Sequence, residues 1–303
     1  MDKIYDVIIV GGGPAGLTAA VYALRNGKSV LVIEKAVFGG QIVNSPRVEN
    51  IPGFESVAGD EFGDLLLNQV IKQGGEVFFD EVLEAQSDGQ IVNVTLDMSA
   101  SVKGKTLILS TGTKHRTLGL DKEEELIGKS IHFCAVCDGN FYKDKTVVMI
   151  GGGNSAFVDT AYLLDVAKKV IMLQDLPFYT AEEKLQKQVF AKENLEAHKG
   201  TKILSYEIKD GKLCGVRYLK NDEEKIAYCD GVFLAVGLIP DNDRFKNLAK
   251  IDERGYFIAD ESGLTETKNV FVAGDCRSKD LRQVATACSD GANAAIQACR
   301  FIG

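Results

Sequence analysis

The sequence predicts an α/β fold of two parallel-sheet domains, the second inserted into the first, and three observations carry the prediction. A length of 303 residues exceeds what a single hydrophobic core usually fills. The segment Val7-Ile8-Ile9-Val10-Gly11-Gly12-Gly13-Pro14-Ala15-Gly16 returns 140 residues later as Val147-Val148-Met149-Ile150-Gly151-Gly152-Gly153-Asn154-Ser155-Ala156. The last 60 residues are too few for a third domain and suit completion of the first.

Each repeat reads as strand, glycine turn, helix and strand, the opening of a Rossmann-like βαβ unit. The second strands are expected over Lys28–Glu34 and Lys168–Gln174. After the first copy come a loop with Pro46 and Pro52, then a helix near Glu61–Gln73. Strands follow at Glu76–Val82, Ile91–Leu96 and Thr106–Ser110, the last ending in Thr111-Gly112-Thr113. The second copy is followed by strands at Ile203–Ile208, Leu213–Leu219, Lys225–Tyr228 and Gly231–Val236. Pro240-Asp241-Asn242-Asp243 reads as a linker. A short strand at Val270–Ala273 and an alanine-rich helix from about Thr286 then return to the first domain. The expected boundaries are 1–114 with 244–303 for one domain and 115–243 for the other.

Composition narrows the function. A formal charge of −8 leaves no surplus of cations to neutralise phosphates, so nucleic acid is not an expected partner. No stretch approaches the roughly 20 apolar residues of a membrane-spanning helix, and the N-terminus enters a strand at once, so a cytoplasmic protein is expected. Seven cysteines, an odd number, are read as mostly unpaired thiols in a reducing compartment.

In Gly11-x-Gly13-x-x-Gly16 the glycines serve a tight turn, close approach of a pyrophosphate, and helix–strand packing. Glu34 stands 23 residues after Gly11 at the end of the second strand, where a carboxylate binds ribose hydroxyls. Cys134-x-x-Cys137 has the spacing of a reversible disulfide with one acidified thiol, and the adjacent Asp138 supplies a proton donor for the departing thiolate. Zinc is the alternative reading, but a structural site takes four ligands and only His132 lies near, so no metal is expected. Cys214, Cys229, Cys276, Cys288 and Cys299 are isolated.

Gly39-Gly40-Gln41, Asn50-Ile51-Pro52-Gly53-Phe54, Thr111-Gly112-Thr113, Cys134-Ala135-Val136-Cys137-Asp138-Gly139, Ala273-Gly274-Asp275 and Arg282-Gln283-Val284-Ala285-Thr286-Ala287 occur in this order along the chain. In them the whole chain resembles the low-molecular-weight thioredoxin reductase family, whose domains are of the glutathione-reductase type. The resemblance implies FAD in the first domain. Gly11, Gly13, Pro14, Ala15 and Gly16 would form its phosphate turn, and Glu34 and Lys35 would hold the adenosine end. Gly40, Gln41, Asn50, Thr111 and Gly112 would line the cofactor, Gly274 and Asp275 would hold its ribityl and phosphate part, and Arg282, Gln283 and Val284 would border the isoalloxazine. It also implies that Cys137 faces the flavin, that Cys134 attacks the disulfide of thioredoxin, that the domains rotate about linkers near Lys114–Leu118 and Pro240–Asp243, and that the protein is a homodimer.

The second glycine turn departs from the family. Where NADPH-dependent members carry His-Arg-Arg and a later Arg, this chain has Gln174, Asp175, Leu176 and, at the later position, Thr180. The acidic pair after the turn has become Val158-Asp159. Losing two or three charge-assisted contacts to a 2′-phosphate removes on the order of 3–6 kcal/mol, about two to four decades of affinity. Leu176, Pro177 and Phe178 are also expected to crowd the adenosine position. The chain is most similar to the ferredoxin-dependent flavin thioredoxin reductase branch, which keeps FAD and the cysteine pair without the nicotinamide residues. The expected activity is reduction of thioredoxin with electrons from reduced ferredoxin or another low-potential carrier such as flavodoxin. The alternatives are NADH, with Asp175 on the ribose, a non-catalytic redox sensor, and a ferredoxin–nicotinamide reductase, which the cysteine pair argues against.

Overall fold

The computed structural model describes residues 3–45, 48–133 and 135–303, with backbone alone for Asn44, Val136 and Cys137. The chain forms two compact units, Met1–Lys114 with Ile239–Gly303, and His115–Leu238. The return to the first unit lies five residues before the expected 243/244 boundary. The reason is a strand that runs into the supposed linker at Pro240: Leu238–Pro240 pairs with Thr113–His115.

The first unit is built from β1 (Ile4–Val10), α1 (Pro14–Arg25), β2 (Val30–Glu34), α2 (Gly59–Lys72), β3 (Glu76–Phe79), β4 (Val82–Ser87), β5 (Val92–Leu96), β6 (Val102–Leu109) and β7 (Thr113–His115). Its sheet runs β3-β2-β1-β6-β5-β4, with β1, β2 and β3 parallel and β4, β5 and β6 an antiparallel meander. The single strand expected over Glu76–Val82 is therefore two strands. Asp80 breaks it, its carboxylate accepting the N–H groups of Glu81 and Met98.

The central strands are apolar on both faces, as parallel strands covered on both sides must be. Val7, Ile9, Val32 and Ile108 pack against the small residues of α1, while Ile8, Leu31 and Leu107 pack against Val92, Val94 and Phe257.

The second unit carries α3 (Glu123–Leu126), β8 (Ile131–His132), α4 (Ala135–Asp138), β9 (Thr146–Ile150), α5 (Asn154–Val166), β10 (Lys169–Gln174), α6 (Glu183–Phe190), β11 (Leu195–Lys199), β12 (Thr201–Lys209), β13 (Lys212–Lys220), β14 (Glu223–Tyr228) and β15 (Gly231–Leu234). A parallel sheet in the order β11-β10-β9-β15-β8 has Val147, Met149 and Met172 on the face of α5. Its other face, with Val148, Ile171 and Val232, packs on the antiparallel layer β12-β13-β14.

The crossing strand β16 (Leu238–Pro240) leads back to β17 (Val270–Val272), which pairs with β6, and to α7 (Val284–Ile302). The α7 helix starts two residues before the expected Thr286. Thr286 sits one turn inside, its hydroxyl accepting the Gln283 N–H at 3.1 Å in a capping box. Among the described residues no helix is long and apolar enough to cross a membrane.

Candidate active site

The first glycine turn is shaped by contacts that exclude a side chain. Gly11 has φ +105°, and a Cβ there would lie 2.1 Å from the Ser110 carbonyl oxygen. A Cβ on Gly16 would lie 1.9 Å from the Gly11 oxygen. Pro14 opens α1 at its first turn, where its missing N–H leaves no lost bond, and Ala15 is buried beside it. Gly40 closes on Gly13, since a Cβ on it would lie 3.0 Å from the Gly13 Cα. The turn leaves the α1 N-terminus, with its amides and partial positive charge, at the end of β1.

A small cleft of about 60 Å³ brings together Gly11, Glu34, Lys35 and Thr111, four of the residues expected at a cofactor, with Glu81 and Asp241. Glu34 is fixed by accepting the N–H groups of Gly12 at 2.7 Å and Ala36 at 2.8 Å. Lys35 bridges Asp241 at 2.8 Å and Glu81 at 3.3 Å. Burial works against its charge, but the two carboxylates outweigh it and raise its pKa. Thr111 donates to Asn242 at 2.8 Å, beside Gly112 at φ +65°.

The remaining expected residues form a second group. Gln41 donates to the Thr113 carbonyl at 3.1 Å, and Asn50 to the Gln283 side chain at 2.8 Å. Arg282 donates to the Asp275 carbonyl at 3.3 Å and stacks 4.1 Å over the Tyr256 ring. Val284 packs on the cluster of Val48, Ile51, Val57 and Phe62. Asp275 Oδ1 is buried without a partner among the described residues, and burial raises its carboxyl pKa above the usual range despite Lys279 and Arg282. A buried carboxylate oxygen with nothing to accept from demands a donor. The glycine cradle, the helix N-terminus and this orphaned oxygen together fit a dinucleotide with ribityl hydroxyls, such as FAD.

Two buried anchors escaped the sequence reading. Asn242, inside the supposed linker, donates to the Gly255 and Cys276 carbonyls at 2.9 and 2.8 Å. Asp290 of α7, 3% exposed, accepts from Gly274 N–H at 3.0 Å, from Arg277 at 2.7 and 2.8 Å, and from Lys279 at 2.9 Å. Their partners lie tens of residues away or in an irregular turn, so no local pattern announces them.

In the second unit Cys137 lies on α4, though its side chain and the whole of Cys134 fall outside the described residues. Asp138 ends α4 and meets His132 Nδ1 at 3.0 Å, and His132 Nε2 shares a hydrogen bond with the Tyr142 hydroxyl at 2.8 Å. Burial, with the charge of Asp138, pushes the Tyr142 phenol up to about 12, so it stays protonated. The sequence reading treated His132 only as a metal ligand; its orienting of Asp138 is visible in the fold alone. Cys214, Cys229, Cys276, Cys288 and Cys299 are free thiols, as expected.

The second glycine turn repeats the first in shape but not in chemistry. Gly151 has φ +131°, and a Cβ there would lie 2.2 Å from the Ala235 oxygen. In both copies an amide of the following loop bonds the middle glycine's carbonyl, Gly39 to Gly12 at 2.8 Å and Thr180 to Gly152 at 2.9 Å. Glu34, however, is answered by Gln174, whose amide donates to the Phe178 carbonyl at 3.3 Å. Leu176 and Phe178, expected beside the adenosine position, are exposed, and Gln174 and Thr180 are the side chains against the glycines. Tyr179 instead turns into an aromatic group with Phe157 and Phe190, which draws the loop past the turn. Asp175 accepts the Leu176 N–H at 2.8 Å within its own turn. Lys199 stands opposite Gln174 in the β10–β11 register.

Residues 5–291 match the family described as pyridine nucleotide-disulphide oxidoreductase. The chain is 38% identical over 304 residues to a thioredoxin reductase of Listeria monocytogenes, covering 99% of this chain and 95% of that one. It is 36% identical to a thioredoxin reductase of Peptoclostridium acidaminophilum, covering 100% and 98%. Among solved structures, thioredoxin reductase of Lactococcus lactis superposes with a TM-score of 0.94 at 33% identity, covering 98% of this chain and 99% of that one. The T. acidophilum thioredoxin reductase gives 0.92 at 34%, covering 99% of each.

Proposed function

Because the chain belongs to the low-molecular-weight thioredoxin reductases, within the pyridine nucleotide-disulphide oxidoreductases, and is thus a flavin disulfide oxidoreductase that binds FAD, we propose that it reduces the disulfide of thioredoxin through Cys134 and Cys137. Bound FAD supplies the two-electron store between an external donor and this pair. Gly11, Gly13, Pro14, Ala15, Gly16, Glu34, Lys35, Gly40, Gln41, Asn50, Thr111, Gly112, Gly274, Asp275, Arg282, Gln283 and Val284 are the residues assigned to hold it.

The protein's own chemistry is thiol–disulfide exchange. The Cys134 thiolate attacks one thioredoxin sulfur, and the other leaves as a thiolate that takes a proton. Cys137 then attacks Cys134, closing the enzyme disulfide and releasing the second thioredoxin sulfur. Asp138 is the assigned proton donor, oriented by His132 and Tyr142. A homodimer belongs to the same proposal, and sedimentation equilibrium checks it.

For the donor, we assign reduced ferredoxin in place of NADPH. The observation that carries this is Gln174, where the first copy has Glu34: the position of the ribose acid is held by an amide, and no cationic run for a 2′-phosphate follows it in the sequence. The preserved Gly151–Gly153 turn, Lys199 opposite Gln174, and the family's described link to pyridine nucleotides support the second reading, a nicotinamide nucleotide as donor. Anaerobic titration decides between them. Reduced ferredoxin is expected to bleach the flavin at turnover rates while micromolar NADPH and NADH do not; the reverse result removes ferredoxin. Cys134→Ser and Cys137→Ser should each abolish thioredoxin reduction and leave flavin bleaching intact.

A further inference from the structure

Two of the five cysteines that the chemistry above leaves unused are isolated in the sequence and neighbours in the fold. Cys214 lies in β13, and Cys229 follows β14, which runs antiparallel to it. The ladder pairs Val216 with Ala227 and Gly215 with Tyr228, and one step further the Cys229 N–H donates to the Cys214 carbonyl at 3.1 Å. The two cysteines therefore stand directly opposite each other, and opposite residues of an antiparallel ladder share a face. The next pair on that face, Val216 and Ala227, is buried with Cys229 in the core of the second unit. A hydrogen-bonded pair of this kind holds its Cα atoms about 5.5 Å apart, within the roughly 4.4–6.8 Å that a disulfide spans.

The two thiols differ in access and freedom. Cys229 is 7% exposed, and burial above all pushes its thiol up to about 12. Its backbone is stitched to β9, because the Asp230 N–H donates to the Thr146 carbonyl at 2.8 Å and the Asp230 carboxylate accepts the Thr146 N–H at 3.0 Å. Cys214 is half-buried and sits where the register of β12 with β13 shifts, between Glu207↔Gly215 and Ile208↔Leu213. It is the extra residue of a β-bulge, a feature that re-aims side chains. Its Sγ donates to the Glu207 carbonyl at 3.4 Å, on the β12 side. Turning about its Cα–Cβ bond swings the sulfur from that carbonyl to the β14 side, where Cys229 stands.

We propose that Cys214 and Cys229 are a second dithiol–disulfide site, closed by a small-molecule disulfide that enters at Cys214. The step balances. The Cys214 sulfur attacks one sulfur of the external disulfide, and the other leaves as a thiol with the Cys214 proton. Cys229 then attacks the Cys214 sulfur, and the second external sulfur leaves with the Cys229 proton. One sulfur–sulfur bond breaks outside and one forms across the strands. The external disulfide gains the two electrons and two protons that the cysteines lose.

The test holds the holoenzyme anaerobically in glutathione buffers of rising disulfide share, quenches in acid, alkylates the unfolded chain and cuts it with trypsin. Cys134 and Cys137 share the peptide 130–143, whereas Cys214 falls in 213–217 and Cys229 in 226–244, so mass spectrometry keeps the two sites apart. Alkylated Cys214 and Cys229 are expected to disappear together. In their place the two peptides should appear joined, lighter by two hydrogens than their sum, with flavin absorbance unchanged, and dithiothreitol should reverse the link. The same link is expected in a Cys134→Ser/Cys137→Ser chain, which makes the outcome independent of the first pair. In Cys214→Ser, Cys229 should stay fully alkylated at every ratio. Three results each overturn the proposal: both thiols still alkylated at the most oxidising ratio, glutathione retained on Cys214 beside a free Cys229, or a link that forms only once flavin is lost.

Discussion

At the level of single residues, the buried carboxylate of Asp290 holds the Gly274–Lys279 turn, because it answers Gly274 N–H and two nearly buried cations, of which Arg277 reaches otherwise only the exposed Glu261 and backbone carbonyls. Burial raises its pKa, but the hydrogen bonds from Arg277 and Lys279 outweigh that and leave it below the ordinary carboxylate value. A depressed carboxylate stabilises the fold above its unfolded pKa, and the stabilisation is lost as pH falls through the folded value. Asp290→Ala, which strands both cations, should cost about 3–5 kcal/mol in urea unfolding at neutral pH. The gap to wild type should narrow as pH drops below about 4; a gap that persists in acid would show that packing, not charge, is at stake. The sequence announced a different set of residues from this one. Gly11 and Glu34 were legible because the glycine turn fixes their spacing to a strand end, Lys35 and Thr111 only through the family resemblance, and the four meet in one cleft. Asp290, Asn242 and the pairing of His132 with Asp138 were not, because burial of a polar group is decided by partners that only the folded chain brings near.

Among the elements, α1 and α7 show how small residues set the cofactor site. A Cβ on Gly291 would lie 2.0 Å from the Ala15 carbonyl, and Ala294, Ala295 and Ala298 are fully buried along the same helix. The close approach fixes the N-terminus of α1, where the phosphates of a dinucleotide would rest. Gly291→Val must push the helices apart, since the obstacle is backbone and cannot rotate away. It should lower stability by about 1–3 kcal/mol and release flavin during gel filtration; full flavin retention at wild-type stability would mean that the helices separate without disturbing the turn. The alanine run was readable as this helix, and the two glycine turns as βαβ openings. What escaped were elements defined by neighbours. Leu195–Lys199 offers only two apolar residues in its alternation, Leu195 and Ala197, too short a signal by itself, and becomes β11 because β10 offers it a parallel edge. Likewise Leu238–Pro240 becomes a strand only because Thr113–His115 lies alongside.

For the whole molecule, the two units have separate cores, so heat should unfold them separately. The first unit's core joins Ile8, Leu107 and Val270 across its two chain segments, whereas Val148, Ile171 and Val232 belong to the inserted unit alone. Every residue assigned to FAD lies in the first unit, and mass action stabilises only what binds. Free FAD at a hundred times its dissociation constant adds about 2.7 kcal/mol. Calorimetry of the flavin-free protein should therefore show two transitions, of which FAD raises one. NADPH supplies the complementary test on the inserted unit. With Gln174 in place of an acid and no cationic run after it, millimolar NADPH should leave the other transition where it was. A rise in that transition would mean that Lys199 and the Gly151–Gly153 turn suffice to hold the nucleotide, and the donor assignment would pass to it. A single transition that moved as one with FAD would instead mean that the cores are coupled through the Thr113–His115 and Leu238–Pro240 ribbon, which would then transmit order between the units as well as chain.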